Sequence, residues 1–150
     1  MTYTEKFTWA GKELTIKRET SPVAVLSAES AQIKLEKINV NDPALRPSNY
    51  ARAEGTVLPI FQAEGVRLDL SKRTKEPMNF WHRNMDCDEL IFCYKGAIHW
   101  ETELGNIALQ SGEMFVIPKG VAHRSLPPPD SKEENIVIEL KINGAIAKLI

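Results

Sequence analysis

Apolar residues in this chain fall in short runs with a period close to two, and few stretches sustain the three-to-four spacing of an amphipathic helix. Alternation sends successive side chains to opposite faces of an extended strand, so the pattern predicts a mainly β protein. Residues 3–9 and 13–18 flank Ala10-Gly11-Lys12 and read as a hairpin, with Tyr3, Phe7 and Trp9 as apolar points on the first arm. Between residues 23 and 40 the pattern is mixed: Val23, Val25, Ile33, Leu35, Ile38 and Val40 suit strands, while 27–32 suits a short helical turn. Asn41-Asp42-Pro43 and Arg46-Pro47-Ser48-Asn49 then punctuate a loop that closes near Glu54-Gly55, because proline fixes its own φ and restricts the residue before it.

Beyond the loop, strands are predicted at 56–62, 66–70, 78–84, 89–94, 97–102, 107–110, 113–117, 123–126 and 135–142. Turns at Lys95-Gly96, Leu104-Gly105-Asn106, Ser111-Gly112 and Lys119-Gly120 bring the strands of the second half round every 8 to 12 residues, the spacing of a sandwich or barrel. The organisation predicted is one domain over 1–150: strands and a loop in 1–55, a barrel in 56–142, and a tail in 143–150 that is apolar enough to dock.

Length and charge narrow this further. At 150 residues and 16.9 kDa, a single core forms without disulfide or metal staples. Nineteen Lys and Arg against 20 Asp and Glu give a net charge of −1 and a pI near 6.3, which argues against a nucleic-acid partner. The start of the chain has no basic segment leading into an apolar run, and no stretch approaches 18 consecutive apolar residues, so neither export nor membrane insertion is expected. Cys87 and Cys93 are six positions apart; on one strand their Cα atoms would stand roughly 20 Å from each other, which predicts reduced thiols in a cytoplasmic protein.

Two of the three histidines sit beside acids and turn residues. His82 lies in Trp81-His82-Arg83-Asn84-Met85-Asp86-Cys87-Asp88-Glu89, and His123 follows Pro118-Lys119-Gly120-Val121-Ala122. Strand parity puts His82 and Asn84 on one side, and it separates Glu89, Ile91 and Cys93 from Asp88, Leu90, Phe92 and Tyr94. Both sets include apolar groups, as expected of a strand covered on both faces. Two imidazoles and a carboxylate converging in a barrel would leave coordination positions open, a geometry suited to non-haem Fe(II) and compatible with Zn, Ni or Mn. Glu89 is the leading carboxylate, with Asp86 and Asp88 as competitors; Asp88, one residue off, faces the site only through a bulge. Arg67, Arg83 and Arg124 are candidate clamps for a substrate carboxylate. Phe80, Trp81, Phe92, Tyr94 and Trp100 are candidate walls of an apolar pocket, with Tyr94 the candidate substrate contact. His99 lies on neither stretch and reads as a surface or interface residue, and no residue is singled out as a general acid or base.

These spacings resemble the two motifs of the cupin superfamily. The first is present as His82-x-Asn84, four residues, Glu89, six residues, Gly96, and the second as Gly112, five residues, Pro118-x-Gly120, two residues, His123. Glu76, Asn84 and Pro127 stand where that pattern has a glycine, a second histidine and an asparagine. The string His82-Arg83-Asn84 with Asp88-Glu89 is similar to the homogentisate 1,2-dioxygenase-like branch, whose iron ligands are two histidines and a glutamate. The resemblance extends over residues 76–127. It implies an all-β double-stranded β-helix (cupin, jelly-roll) barrel with an N-terminal β-ribbon, and a homodimer. It also implies His82, Glu89 and His123 as metal ligands and Fe(II)-dependent oxygenation of a small aromatic or oxygenated acid; beside these, the residues themselves offer Asn84 and Asp88 as further ligands or supports. The alternatives are a metal-stabilised barrel that binds a small ligand without transforming it, and a cupin isomerase or decarboxylase using its metal as a Lewis acid.

Overall fold

The structure, a computed structural model, describes residues 2–19, 35–48, 56–73, 76–131 and 133–150. The predicted helical turn at 27–32 lies outside the described residues. Among the described residues every regular element is a β-strand, and no helix is long and apolar enough to cross a membrane. The chain packs as two units, Met1–Ile38 and Asn39–Ile150.

In the first unit β1 (Tyr3–Trp9) and β2 (Lys12–Arg18) form an antiparallel ribbon, in register from Tyr3 opposite Arg18 to Trp9 opposite Lys12. Ala10 and Gly11 both take positive φ, 51° and 74°, the pairing a two-residue hairpin turn requires to match the strands' twist. Phe7 and Trp9 are exposed on this ribbon.

The second unit holds β3 (Leu58–Ala63), β4 (Val66–Arg73), β5 (Asp88–Lys95), β6 (Ala97–Thr102), β7 (Gly105–Gln110), β8 (Met114–Ile117), β9 (His123–Leu126) and β10 (Asn135–Ile142). They form two antiparallel sheets, ordered β3-β4-β10-β5-β8 and β7-β6-β9, which is a jelly-roll arrangement. The last strand is thus the middle of the larger sheet. The turn from β5 to β6 needs a glycine: Gly96 has φ +79°, and a Cβ there would run into the side-chain amide of Asn135, which accepts a hydrogen bond from the Ala97 N–H.

One predicted strand is corrected. Residues 78–84 form no strand; only His82 makes an isolated antiparallel bridge, with His123. His82 N–H donates to the His123 carbonyl (3.1 Å) and the His82 carbonyl accepts from His123 N–H (2.8 Å), while Met78 N–H donates to the Ser125 carbonyl. The ladder stops there because β9 is only four residues long and the Asn84 carbonyl is taken by the Gly120 N–H.

The apolar core lies between the sheets: Ile91, Cys93, Ile98, Trp100, Leu109, Ile117 and Val137, with Phe115 and Val121 packed on it. Asp69, Ser71, Arg73, Glu89, His123, Ser125 and Glu139 are also buried. Cross-strand register brings several of the charged groups together: Lys141 stands opposite Arg67 on one side and Glu89 on the other, and Glu139 stands opposite Asp69 and Ile91.

Candidate metal centre

Glu89 and His82 each meet His123. Glu89 shares the inner face of β5 with Ile91 and Cys93, His123 opens β9, and the His82 bridge brings the second imidazole alongside. The two rings meet edge to face, with centroids 4.2 Å apart. His123 Nδ1 donates to the Val121 carbonyl at 2.8 Å, and because a carbonyl only accepts, the proton on that nitrogen is fixed. His123 Nε2 therefore turns towards Glu89 Oε2, 3.3 Å away, without an aligned hydrogen bond. His82 Nδ1 is likewise buried with no partner. Burial, reinforced by the neighbouring His123, pulls His82 down to about 4, so its imidazole is neutral near pH 7.

The donor types fit a divalent cation: two adjacent imidazoles, each with an unpartnered nitrogen, one of them beside a buried carboxylate. Among the described residues, though, no three His, Cys, Asp or Glu side chains have converged on one point. A fourth group lies beside Glu89. Lys141 Nζ lies 3.1 Å from Asp69 Oδ2, 3.2 Å from Glu89 Oε1 and 3.4 Å from Glu139 Oε2, so Glu89 is shared between an imidazole and an ammonium. Burial raises Glu89, but His123 and Lys141 outweigh it and hold the carboxyl below its usual range. Burial likewise opposes the Lys141 charge, and Glu139, Glu89 and Asp69 reverse this, raising the lysine above its ordinary value. Glu139 is raised, chiefly by its own burial.

Lys141, Asp69 and Glu139 were not anticipated as site residues. Their signal was present in Val66-Arg67-Leu68-Asp69-Leu70 and Ile138-Glu139-Leu140-Lys141-Ile142, where charged and apolar residues alternate. Such a charged face normally meets water, whereas here it lines the space beside Glu89.

The other candidates separate from this group. Asp88, as strand parity requires, faces away: its Oδ1 accepts from Lys119 N–H (2.9 Å) and its Oδ2 from Ile146 N–H (2.8 Å). It pins the loop before His123 and the tail, and is no reserve ligand. Tyr94 is corrected too; on the opposite face from Glu89, its hydroxyl accepts a hydrogen bond from Asn41, so it is not at the site. Arg83 binds Glu103 and the Gly120 carbonyl, and Arg124 binds Glu101 and lies over the Trp81 ring, so neither is free to clamp a substrate here. Of the aromatic set, Trp100 stands 5.7 Å from the His123 ring and Phe80 6.0 Å from that of His82, centroid to centroid. His99 is exposed.

Asn84 and Arg67 stay close. With Gln62, Asp86, Cys87 and Lys141 they line a cavity of about 390 Å³ that does not itself include His82, Glu89 or His123. The Asn84 side-chain nitrogen has no partner, and Arg67 is bound to Asp69 yet partly exposed. A larger cavity, about 580 Å³, lies over Pro127-Pro128-Pro129 and includes none of the groups with chemistry. Cys87 and Cys93 are both free thiols.

A small jelly roll whose first motif brings His82 and Glu89 beside the His123 of its second is a cupin. Residues 57–140 match the family described as homogentisate 1,2-dioxygenase N-terminal, and as this spans more than half of the chain, the protein belongs to that family. Among solved structures, a cupin-2 domain protein from Shewanella frigidimarina is 29% identical, with a TM-score of 0.54 over 70% of this chain and 93% of that one. KdgF from a Halomonas species is 18% identical (TM-score 0.52, 60% and 79% covered), and the Schizosaccharomyces pombe Cnp3 cupin domain is 10% identical (0.54, 59% and 61%). The last two show the fold alone. No curated protein sequence matches.

Proposed function

We propose that this cupin holds a divalent metal, Fe(II) foremost, among His82, Glu89 and His123, and acts as a dioxygenase-like enzyme on a small oxygenated acid. The observation that carries the reading is the unpartnered His123 nitrogen beside the Glu89 carboxylate, with the His82 ring and its own unpartnered nitrogen packed against His123. When bound, such an ion supplies Lewis-acid or one-electron chemistry towards oxygen-bearing molecules. The chain does the rest. Val121 orients His123, and the Trp100 ring, itself packed on Phe115, lies against the His123 ring as an apolar neighbour. Arg67 and Lys141 present cations at the cavity. This cavity adjoins Glu89 only through Lys141, and its cations and amides, with Asp86 beside them, suit an oxygenated acid.

The test is metal per chain after anaerobic reconstitution with Fe(II), for wild type, His82→Ala and His123→Ala, followed by O₂ uptake with small hydroxy and keto acids. Near-stoichiometric iron that both substitutions abolish, with O₂ consumed in step with substrate, is the expected result. Equal iron in all three proteins would refute the ligand set. The hold of Lys141 on Glu89 favours a second reading, a binding barrel or a Lewis-acid isomerase or decarboxylase. Turnover without O₂ identifies the catalytic form of that reading, and ligand binding without turnover identifies the other. The exposed Phe7 and Trp9 of the ribbon support pairing with a second copy, which sedimentation of the chain with and without residues 1–18 checks.

A further inference from the structure

We propose that Lys141 is a built-in rival of the metal for Glu89: a divalent cation gains this carboxylate only as the ammonium releases Glu89 and stays with Asp69 and Glu139. The inference rests on the reading of His82, Glu89 and His123 as the metal group. It adds that the chain carries its own competing cation, which sets how tightly the metal is held.

Three observations combine. First, three carboxylates lie within 3.1–3.4 Å of Lys141 Nζ: it donates to Asp69 and Glu139 and pairs by charge with Glu89, which is thus one part of a set. Second, Glu89 is the member of that set that also faces an imidazole, through its other oxygen. His123 Nδ1 donates to Val121, and its Nε2, left without an aligned hydrogen bond, lies 3.3 Å from Oε2, so the second oxygen of Glu89 adjoins a ring nitrogen of a type that coordinates cations. Third, retreat is provided for. A lysine that leaves Glu89 keeps two carboxylates, so its charge is never stranded in the interior, where an unpaired charge is heavily penalised. Asp69 is fully buried and also holds Arg67, so it stays in place whether or not the lysine leans on Glu89. The strand register enforces the contest, because Lys141 is the direct cross-strand neighbour of Glu89.

The experiment uses Zn(II) as probe. Its affinity is measured by competition with a chromophoric chelator for wild type, Lys141→Met, Arg67→Gln and His123→Ala, each checked for folding by circular dichroism. Methionine keeps the apolar stem and removes the charge. Lys141→Met is expected to bind Zn(II) at least tenfold more tightly than wild type. Arg67→Gln removes a nearby cation that does not hold Glu89, and is expected to change affinity less than threefold. Equal or weaker binding by Lys141→Met, or an equal gain in Arg67→Gln, overturns the inference while leaving the metal reading intact. Undiminished binding by His123→Ala removes the metal reading, and the inference with it. If Lys141→Met does not fold, the wild-type protein decides: the ¹⁵Nζ resonance of Lys141, assigned along its own side chain, shifts on addition of one equivalent of Zn(II), and a resonance that stays put refutes the exchange.

Discussion

Asp88 makes a sharp test of the division between site and scaffold, because it adjoins Glu89 in sequence yet points the other way. Its two oxygens accept backbone N–H groups of Lys119 and Ile146, at 2.9 and 2.8 Å, from segments far apart in the chain. Asparagine has the same shape but one acceptor; whichever way the amide is turned, its NH₂ confronts an N–H donor. The substitution Asp88→Asn therefore removes one charge-assisted bond and weakens the other, a loss of about 1.5–3 kcal/mol. For a chain of this size that lowers Tm by about 3–12 °C. The sign of the pH dependence is fixed by the same contacts: the Ile146 and Lys119 N–H groups hold the Asp88 carboxyl below its usual range. The stabilisation is thus complete above the unfolded value, about 3.9, and disappears as pH falls towards the folded value. Urea unfolding of wild type and Asp88→Asn at pH 7 and at pH 3 measures this directly. The gap between the two proteins is widest at pH 7 and narrows at pH 3, while Zn(II) affinity is unchanged. Equal stability at pH 7, or a gap that widens in acid, would show that the carboxylate is not the staple described; loss of Zn(II) binding would return Asp88 to the ligand set.

Other substitutions probe the frame around the site. Gly96→Ala must place a Cβ at φ +79° and against Asn135, adding about 1–2 kcal/mol of backbone strain to about 1–3 kcal/mol of overpacking; an unchanged urea midpoint would contradict the close approach. Ile91→Ala empties a fully buried position between Glu89 and Cys93 and costs about 2–5 kcal/mol, so a loss below about 1 kcal/mol would mean the core is looser than described. Cys93 is buried, and burial pushes its thiol up; it is expected to resist an aromatic disulfide reagent at pH 8 until urea unfolds the chain, and rapid labelling of the native protein would refute this.

Much of the second half was legible because two signals coincide there. From residue 88 to 142 apolar alternation and glycine turns mark the same boundaries, and the expected strands match β5 to β10 to within two residues at each end. Parity alone placed Glu89 on the inner face with Ile91 and Cys93 and turned Asp88 outward. It also turned Tyr94 outward, against the hope that its ring would reach a substrate. Residues 78–84 misled because an apolar and aromatic run satisfies the strand pattern without a partner long enough to pair with it. The interior charges were hidden for another reason. Alternation identifies two faces of a strand without saying which is inside, and the default assigns the charged face to solvent. Only the register of β10 between β4 and β5 reveals that Lys141, Glu139, Asp69 and Glu89 share one enclosed space.

The place of β10 in the larger sheet also governs how the molecule can assemble. Strands β4 and β5 are not neighbours; each pairs with β10, across separations such as the 72 residues between Asp69 and Lys141. Until that strand inserts, β4 and β5 each present an open edge, and the loop-closure entropy of a distant contact must be met before the sheet gains its centre. A partly folded chain lacking that strand would expose a half-sheet to pairing with other chains. The charges that line the barrel, Arg67 and Asp69 on one open edge and Glu89 on the other, then have an earlier duty: they make those edges poor templates for a wrong strand and acceptable to the one that carries Glu139 and Lys141.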